Sequence, residues 1–316
     1  MNKGHHMNTE TEGLDSALLF AAGMDCKSES TPGSAPGSKM YAHLPAHQYH
    51  GDKDALSCSM LKPLLTSPAH FQANLYNSMK ATKAMDFGSL VHALVLEPRQ
   101  VGSDFSVYPG IADGRSRDYK DFLEQHCGRL VVDEPTFSEA FTLAEKILQR
   151  VVCGRPFGDY VREGIPEATI YAVEPTTGLQ LRTRVDLFHP EFTFDVKTTR
   201  HCDSRAFVRD AVDMHYDLQA FMYTFARSMY EGRAKAPFVF IAAESEKPHS
   251  VHQVTAGESF MTNGAKKFQE VLAVYAACTQ AGHWPDLSCD TEAEIEHWQS
   301  FDGKSDWKMA LGGSSV

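Results

Sequence analysis

The sequence lacks the features of a membrane or secreted protein. No run of 18 apolar side chains occurs in its 316 residues, so no membrane-spanning helix is expected. Residues 1–12 are polar, and the apolar run at 17–22 is too short for the core of a signal peptide. These absences predict a cytoplasmic protein without a membrane partner.

Cysteine pairs and an excess of basic charge are missing as well. The seven cysteines form no Cys-x-x-Cys pair, which argues against a structural zinc site, a disulfide framework and an iron–sulfur cluster. The net charge of −11 is unfavourable for a nucleic-acid-binding protein, which usually carries a basic patch. A locally basic channel is still compatible with this total, because acidic metal ligands contribute to it.

The chain divides into a central domain and two tails. Residues 28–39 are rich in Ser, Pro and Gly and cannot bury enough apolar surface to become ordered. We therefore expect a disordered N-terminal tail or linker at 1–50, one domain at 51–290 and a C-terminal tail at 291–316. His43, His47 and His50 have a ligand-like spacing, but Pro45 interrupts any helix there, so no metal site is expected in this segment.

The most informative stretch is a predicted β-hairpin at 181–197, which turns at His189-Pro190. Its alternation places Asp186, Asp195 and Lys197 on one polar surface backed by a hydrophobic layer. Carboxylates at this spacing suit Mg²⁺ or Mn²⁺, and a neighbouring lysine can orient or deprotonate a water molecule. The alternative is an ordinary Asp–Lys pair on a polar strand face.

Two predicted helices carry polar residues that allow two interpretations each. His92 lies beside the apolar stripe of a buried helix at 84–96, where it is either a satisfied core histidine or a metal ligand. Gln219 lies among aromatic residues of a long helix at 207–230, where it is either structural or a substrate contact.

The remaining pattern predicts a mixed α/β (α+β) domain. Further strands are expected at 167–174, 238–243 and 250–255, and further helices at 60–65, 119–127, 137–152 and 258–281.

Six motifs in order resemble the catalytic domain of RecE (exonuclease VIII) and its phage relatives, across roughly residues 55–290. They are 57–62 with Ser67-Pro68, 84–98, Arg184-Val185-Asp186, Asp195-Val196-Lys197-Thr198-Thr199, Tyr216-Asp217-Leu218-Gln219 and Trp284-Pro285. That family belongs to the PD-(D/E)XK nuclease superfamily and is distantly similar to lambda exonuclease.

The resemblance implies a PD-(D/E)XK core, with a central mixed β-sheet flanked by helices. It implies a Mg²⁺-dependent enzyme, in which Mn²⁺ can substitute, that digests double-stranded DNA ends 5′→3′ in the cytoplasm of a bacterial or phage-infected cell. It also implies a homo-oligomeric ring, a trimer or tetramer, that passes the 3′ overhang to a single-strand annealing protein for recombination. The alternatives are a nuclease acting on flaps, single strands or internal sites, and a catalytically silent DNA-binding relative.

The resemblance also assigns roles to single residues. The implied metal ligands are His92, Asp186, Asp195 and the Val196 carbonyl. The implied catalytic residues are Asp186, Asp195, Lys197 and Gln219, with Lys197 as the catalytic lysine. Ser59, Arg205 and Tyr216 are expected to contact the DNA 5′-phosphate. Glu167 is either a further carboxylate near the metal ligands or a surface charge.

Overall fold

A computed structural model of the chain describes residues 28, 33–76, 82–233, 236–288 and 292–294. The strands are β1 (Lys39–Tyr41), β2 (Phe105–Tyr108), β3 (Leu130–Asp133), β4 (Val151–Val152), β5 (Arg155–Pro156), β6 (Ile165–Val173), β7 (Gln180–Phe188), β8 (Thr193–Thr199), β9 (Phe238–Glu244) and β10 (Val251–Thr255). The helices are α1 (Ala46–Gly51), α2 (Cys58–Leu61), α3 (Pro68–Tyr76), α4 (Lys83–Leu96), α5 (Val101–Asp104), α6 (Arg117–Gln125), α7 (Glu134–Gln149), α8 (Phe157–Glu163), α9 (Ser204–Asp213), α10 (Tyr216–Glu231) and α11 (Glu258–Ala281), with a 3₁₀ helix at Lys62–Leu65. Within these ranges, no helix has the length and apolar character needed to cross a bilayer.

A six-stranded mixed sheet forms the centre of the fold, as predicted. Its order is β1-β6-β7-β8-β9-β10, and only the β8–β9 pair is parallel. Helices cover both faces of the sheet, and alternate side chains of β9 therefore point into two different hydrophobic cores. Val239 and Ile241 pack with α4, α7 and α8, whereas Phe238 and Phe240 pack with α9 and α10. The strand β9 is therefore buried along its whole length.

The long helix predicted at 207–230 is two helices. The helix is interrupted between α9 and α10 at Met214–His215, where His215 has a left-handed φ of 56°. The Lys267 side chain on α11 holds this break by donating hydrogen bonds to Val212 O (3.1 Å) and to Asp217 Oδ1 (2.9 Å). A tertiary contact, which hydrophobic periodicity does not report, sets the end of α9.

The folded part begins before the boundary expected at residue 50. Strand β1 pairs with β6, and α1 follows it directly. The segment is ordered because it buries Met40 and Tyr49 against the sheet, although the stretch before it is poor in apolar residues. Residues 1–27 and 295–316 of the two expected tails lie outside the described residues.

The strands β7 and β8 diverge almost as soon as they leave their turn. They pair only at Leu187↔Phe194 and Phe188↔Thr193. One step further, where Asp186 would face Asp195, the Val196 N–H donates to Asp186 Oδ2 at 2.8 Å. The ladder is thus replaced by a side-chain contact, and a fork opens between the two strands.

Arg227 on α10 holds the closed end of this fork. Its guanidinium is fully buried and donates to the carbonyl oxygens of His189 (2.8 Å), Pro190 (3.2 Å) and Phe192 (2.6 Å) in the β7–β8 turn. It also donates to Glu231 Oε1 at 2.9 Å. One buried cation therefore satisfies the turn carbonyls and fixes where β7 and β8 begin to separate.

We predict that Arg227→Met lowers the free energy of unfolding by roughly 3–5 kcal/mol, because it removes the buried cation beside Glu231 and one hydrogen-bond donor from each of three turn carbonyls. Urea denaturation followed by circular dichroism measures the change. Arg233→Met is the matched control, since Arg233 contacts the same Glu231 carboxylate from an exposed position. Equal stability losses in the two variants would contradict the role given to Arg227.

Candidate metal-dependent active site

Three side chains from three elements meet at the open end of the fork. His92 Nε2 on α4 lies 3.1 Å from Asp186 Oδ2 on β7 and 3.5 Å from Glu167 Oε1 on β6. One potential ligand atom from each residue lies within 4.8 Å of the others. An imidazole with two carboxylates is a donor set that holds divalent cations, so the residues fit a metal site.

The sheet register brings Glu167 to this site. The flanking pairs Pro166↔Leu187 and Ala168↔Val185 place Glu167 directly opposite Asp186. Its φ of 53° is left-handed, a conformation that costs a non-glycine residue about 1–3 kcal/mol and concentrates at functional sites. The sequence left the role of Glu167 open. The strand register, counted from the predicted strand at 167–174 to the hairpin, could have shown that Glu167 lies opposite Asp186.

Asp195, Lys197 and Gln219 form a second group beside the first. Asp195 is fully buried, its Oδ1 accepts from Gln219 Nε2 at 2.6 Å, and its Oδ2 lies 2.5 Å from Lys197 Nζ. The Oδ2 contact is an ion pair without hydrogen-bond geometry, so this buried atom still lacks a hydrogen-bond partner among the described side chains. An incompletely satisfied carboxylate oxygen at this place suits a metal ligand.

The polar surface predicted for the hairpin is therefore only partly right. Lys197 lines the groove described below and Asp186 is partly exposed, but Thr193 and Asp195 are fully buried beneath α10. Alternation along β8 identified which side chains share a face, yet it could not show that a later helix covers that face.

Burial and neighbouring charges shift the protonation of the site. Burial favours neutral His92, but the Asp186 and Glu167 carboxylates outweigh it and raise its pKa to about 9. Burial, reinforced by Asp186, raises the pKa of Glu167 to about 7 and that of Asp195 to about 6. Burial opposes ionisation of Asp186 too, but His92 and Lys197 outweigh it and lower that pKa. A bound cation would take the place of the His92 proton, since only the neutral imidazole is a ligand.

His92, Glu167 and Lys197 line a groove of about 930 Å³. Its walls are formed by the segment 43–50, by α4, and by Arg184 of β7 and Lys197 of β8. A second depression of about 530 Å³, lined in part by Lys83 and Arg200, shares Thr198 and Tyr216 with the groove. The site is thus accessible to an extended polymer.

The structure separates the three residues expected at the 5′-phosphate. Tyr216 lines the groove, as does the metal-ligand candidate Val196. Ser59 is exposed and lies within the first turn of α2, whose N-cap is Ser57. Arg205 is exposed and lines a shallow depression with Gln253–Thr255 of the edge strand β10. A single chain does not bring Arg205 to the groove.

Comparison with known proteins agrees with this fold. Residues 57–297 match the family described as a PDDEXK-like domain of unknown function (DUF3799). The chain belongs to this family. No curated protein matches it. The fold is similar to a crystal structure described as a "Putative exonuclease" from Eubacterium rectale, with a TM-score of 0.54 and 14% identity over 80% of this chain and 96% of that chain.

The family match confirms the coarse prediction of a PD-(D/E)XK-like domain, and the structural similarity agrees with its fold. Neither finding points to the RecE exonucleases or to lambda exonuclease in particular, so that closer resemblance stays a prediction.

Gly88 allows the helix that carries His92 in this PDDEXK-like domain to approach the sheet. A Cβ atom at Gly88 would lie 2.9 Å from Thr198 Oγ1 on β8, closer than side chains tolerate. His92 follows Gly88 by four residues, so both lie on the same face of α4. The absence of a side chain at Gly88 therefore sets the distance of His92 from Asp186.

We predict that Gly88→Val weakens Mn²⁺ binding by roughly tenfold, because it pushes His92 away from the two carboxylates and misplaced ligands typically cost 10–100-fold in affinity. Isothermal titration calorimetry measures the affinity. Gly102→Val on α5 is the control, since no atom lies within 4 Å of a Cβ placed there. Wild-type Mn²⁺ affinity in folded Gly88→Val would contradict this role.

Proposed function

We propose that this protein is a Mg²⁺-dependent exodeoxyribonuclease that digests double-stranded DNA from its ends in the 5′→3′ direction and leaves 3′ single-stranded overhangs. The observation that supports it best is the joining of a metal-binding group, His92, Glu167 and Asp186, to a buried Asp195–Lys197 pair at the fork. Carboxylates that can hold a divalent ion, with a lysine beside them, are groups suited to metal-assisted hydrolysis of a phosphodiester.

The residues that would hold Mg²⁺ or Mn²⁺ are His92, Glu167, Asp186, Asp195 and the Val196 carbonyl. Compared with the set expected from the sequence, Glu167 is added. A divalent ion bound there would polarise the phosphoryl oxygen, lower the pKa of bound water and stabilise the leaving oxygen.

Lys197 would act on the attacking water. Burial favours the neutral amine, but Asp195 and Asp186 outweigh it and raise the lysine pKa above its ordinary value. Because a metal ion held by these two carboxylates would counter their effect on the lysine, the proposed role of Lys197 is to orient the attacking water or to accept its proton. Gln219 keeps Asp195 in place through its 2.6 Å hydrogen bond.

Cleavage of DNA by these residues depends on backbone contacts and not on base identity, because the groups of the site interact with phosphates. Of the residues expected at a 5′-phosphate, only Tyr216 lies in the groove of the single chain. The proposed polarity therefore rests on the resemblance to RecE. Ser59 and Arg205 keep their proposed roles only if the assembly or the bound DNA brings them to the groove.

We predict that the wild-type protein with Mg²⁺ degrades a linear duplex with open ends and leaves a duplex closed by hairpins intact. Asp186→Asn, Asp195→Asn and Lys197→Met should each reduce the rate by at least about 10³-fold, because each removes a ligand or the water-orienting charge. Gel electrophoresis of end-labelled DNA measures both the rate and the direction of digestion.

Asp159→Asn is the control for these variants, since Asp159 pairs only with Arg162 on the surface helix α8 among the described residues. Circular dichroism confirms folding of each variant. Digestion of the closed duplex would indicate an endonuclease, preference for single strands or flaps would indicate the alternative nuclease, and no Mg²⁺-dependent cleavage would indicate a catalytically silent DNA-binding relative. Each outcome would contradict the proposal.

We further propose that the protein forms a ring, a trimer or tetramer, that encloses the duplex and passes the overhang to a single-strand annealing protein. A net charge of −11 repels DNA at long range, so continued digestion requires enclosure rather than general attraction. Head-to-tail contacts that close produce such a ring. Light scattering should give a trimeric or tetrameric mass, and a monomer that digests long duplexes without dissociating would contradict the ring.

A further inference from the structure

Lys62 lies at a fixed position beside the fork. The segment that precedes it is anchored to β7, because Leu56 N donates to Gln180 O at 2.8 Å and Arg182 N donates to Leu56 O at 2.9 Å. Leu61, the last residue of α2, is fully buried in the core beneath α10 and α11. Lys62 then begins the 3₁₀ helix, so its backbone is fixed on one side by the sheet and on the other by this core.

The Lys62 ammonium shares an aromatic ring with the catalytic lysine candidate. Lys62 Nζ lies 5.0 Å from the centroid of the Tyr216 ring, and Lys197 Nζ lies 5.1 Å from the same centroid. Two positive charges are thus held within reach of one side chain that lines the groove. Like charges near one ring repel each other, and an anion close to both would reduce this repulsion.

Lys62 differs from Lys197 in its partners. Lys197 forms an ion pair with Asp195, whereas Lys62 pairs with no carboxylate in the described part of the chain. Lys62 is only partly exposed, and burial together with Lys197 lowers its pKa. A cation–π contact offsets part of the desolvation cost, but an ammonium in such a place is satisfied better by an anion.

We propose that Lys62 binds a phosphodiester of the DNA strand next to the scissile phosphate, on the Tyr216 ring that it shares with Lys197. The inference rests on the proposed nuclease function. Lysine suits this contact because its compact charge and three donors bind a phosphate without demanding one orientation, which allows the strand to advance. In a chain of charge −11, Lys62 supplies local positive charge beside an acidic centre.

The test compares DNA binding by the full-length protein with and without the Lys62 charge. Lys62→Met keeps the length of the side chain and removes the charge, and Lys62→Arg keeps the charge. Lys266→Met removes the same charge from an exposed position on α11 and is the matched control. Fluorescence anisotropy with a labelled duplex in EDTA, which prevents cleavage, gives the affinity across a salt series.

Lys62→Met should bind DNA roughly tenfold more weakly at low salt, and its slope of log affinity against log salt should fall by about 0.7–0.9, the value for one lost phosphate contact. Lys62→Arg should restore most of the affinity, and Lys266→Met should match the wild type. Thermal stability of Lys62→Met should equal or exceed that of the wild type, because an unpaired, partly buried charge is removed.

Three results would overturn the proposal. An unchanged salt slope in Lys62→Met would show that no phosphate is bound. A loss of thermal stability with unchanged DNA affinity would show that the Tyr216 contact is only structural. A loss confined to 5′-phosphorylated ends, with 5′-hydroxyl duplexes bound normally, would move the contact to the terminal phosphate. Failure of the nuclease function gives a different result, in which the wild type binds DNA but does not cleave it with Mg²⁺.

Discussion

The fork between β7 and β8 is the constraint on which the rest of the site depends. Two paired positions, Leu187↔Phe194 and Phe188↔Thr193, hold the strands together, and beyond them the sheet is open. Because Asp186 accepts the Val196 N–H, the strand separation exposes a carboxylate without leaving that donor unsatisfied. The freed edge of β7 is paired again by Leu56, so the opening costs few backbone hydrogen bonds.

The charge at the fork is balanced by the placement of a few charged side chains and not by the net charge of the protein. Three carboxylates, those of Glu167, Asp186 and Asp195, lie near His92 and Lys197. The raised pKa of His92 shows that, without a cation, a proton supplies part of the balance. The proposed polyanionic substrate is compatible with an acidic protein, because a bound metal ion together with the two lysines at Tyr216 would reverse the local charge.

The sequence predicted the parts of the site that neighbouring residues define. Alternation identified the hairpin and the positions of Asp186 and Lys197, and helical periodicity separated His92 from its apolar stripe. It did not predict the break at His215, which depends on Lys267, or the burial of Asp195 beneath α10. These features arise from contacts between residues that are distant in the sequence, which local patterns do not encode.

The N-terminal segment is the clearest case of a structure that local sequence patterns do not encode, because its order depends on two arginines of β7. The Arg182 and Arg184 guanidinium groups lie 4.7 and 4.3 Å from the Tyr49 ring centroid, and Arg184 Nη2 donates to Leu44 O at 2.6 Å. These contacts fix residues 43–50 as a wall of the groove, although the sequence predicts that they belong to a disordered tail at 1–50. Arg184 also lies 3.7 Å from Glu167, so the wall and the metal-binding group share one cation. A domain boundary drawn at residue 51 would therefore remove a wall of the active site together with the partners that hold Arg184 beside Glu167.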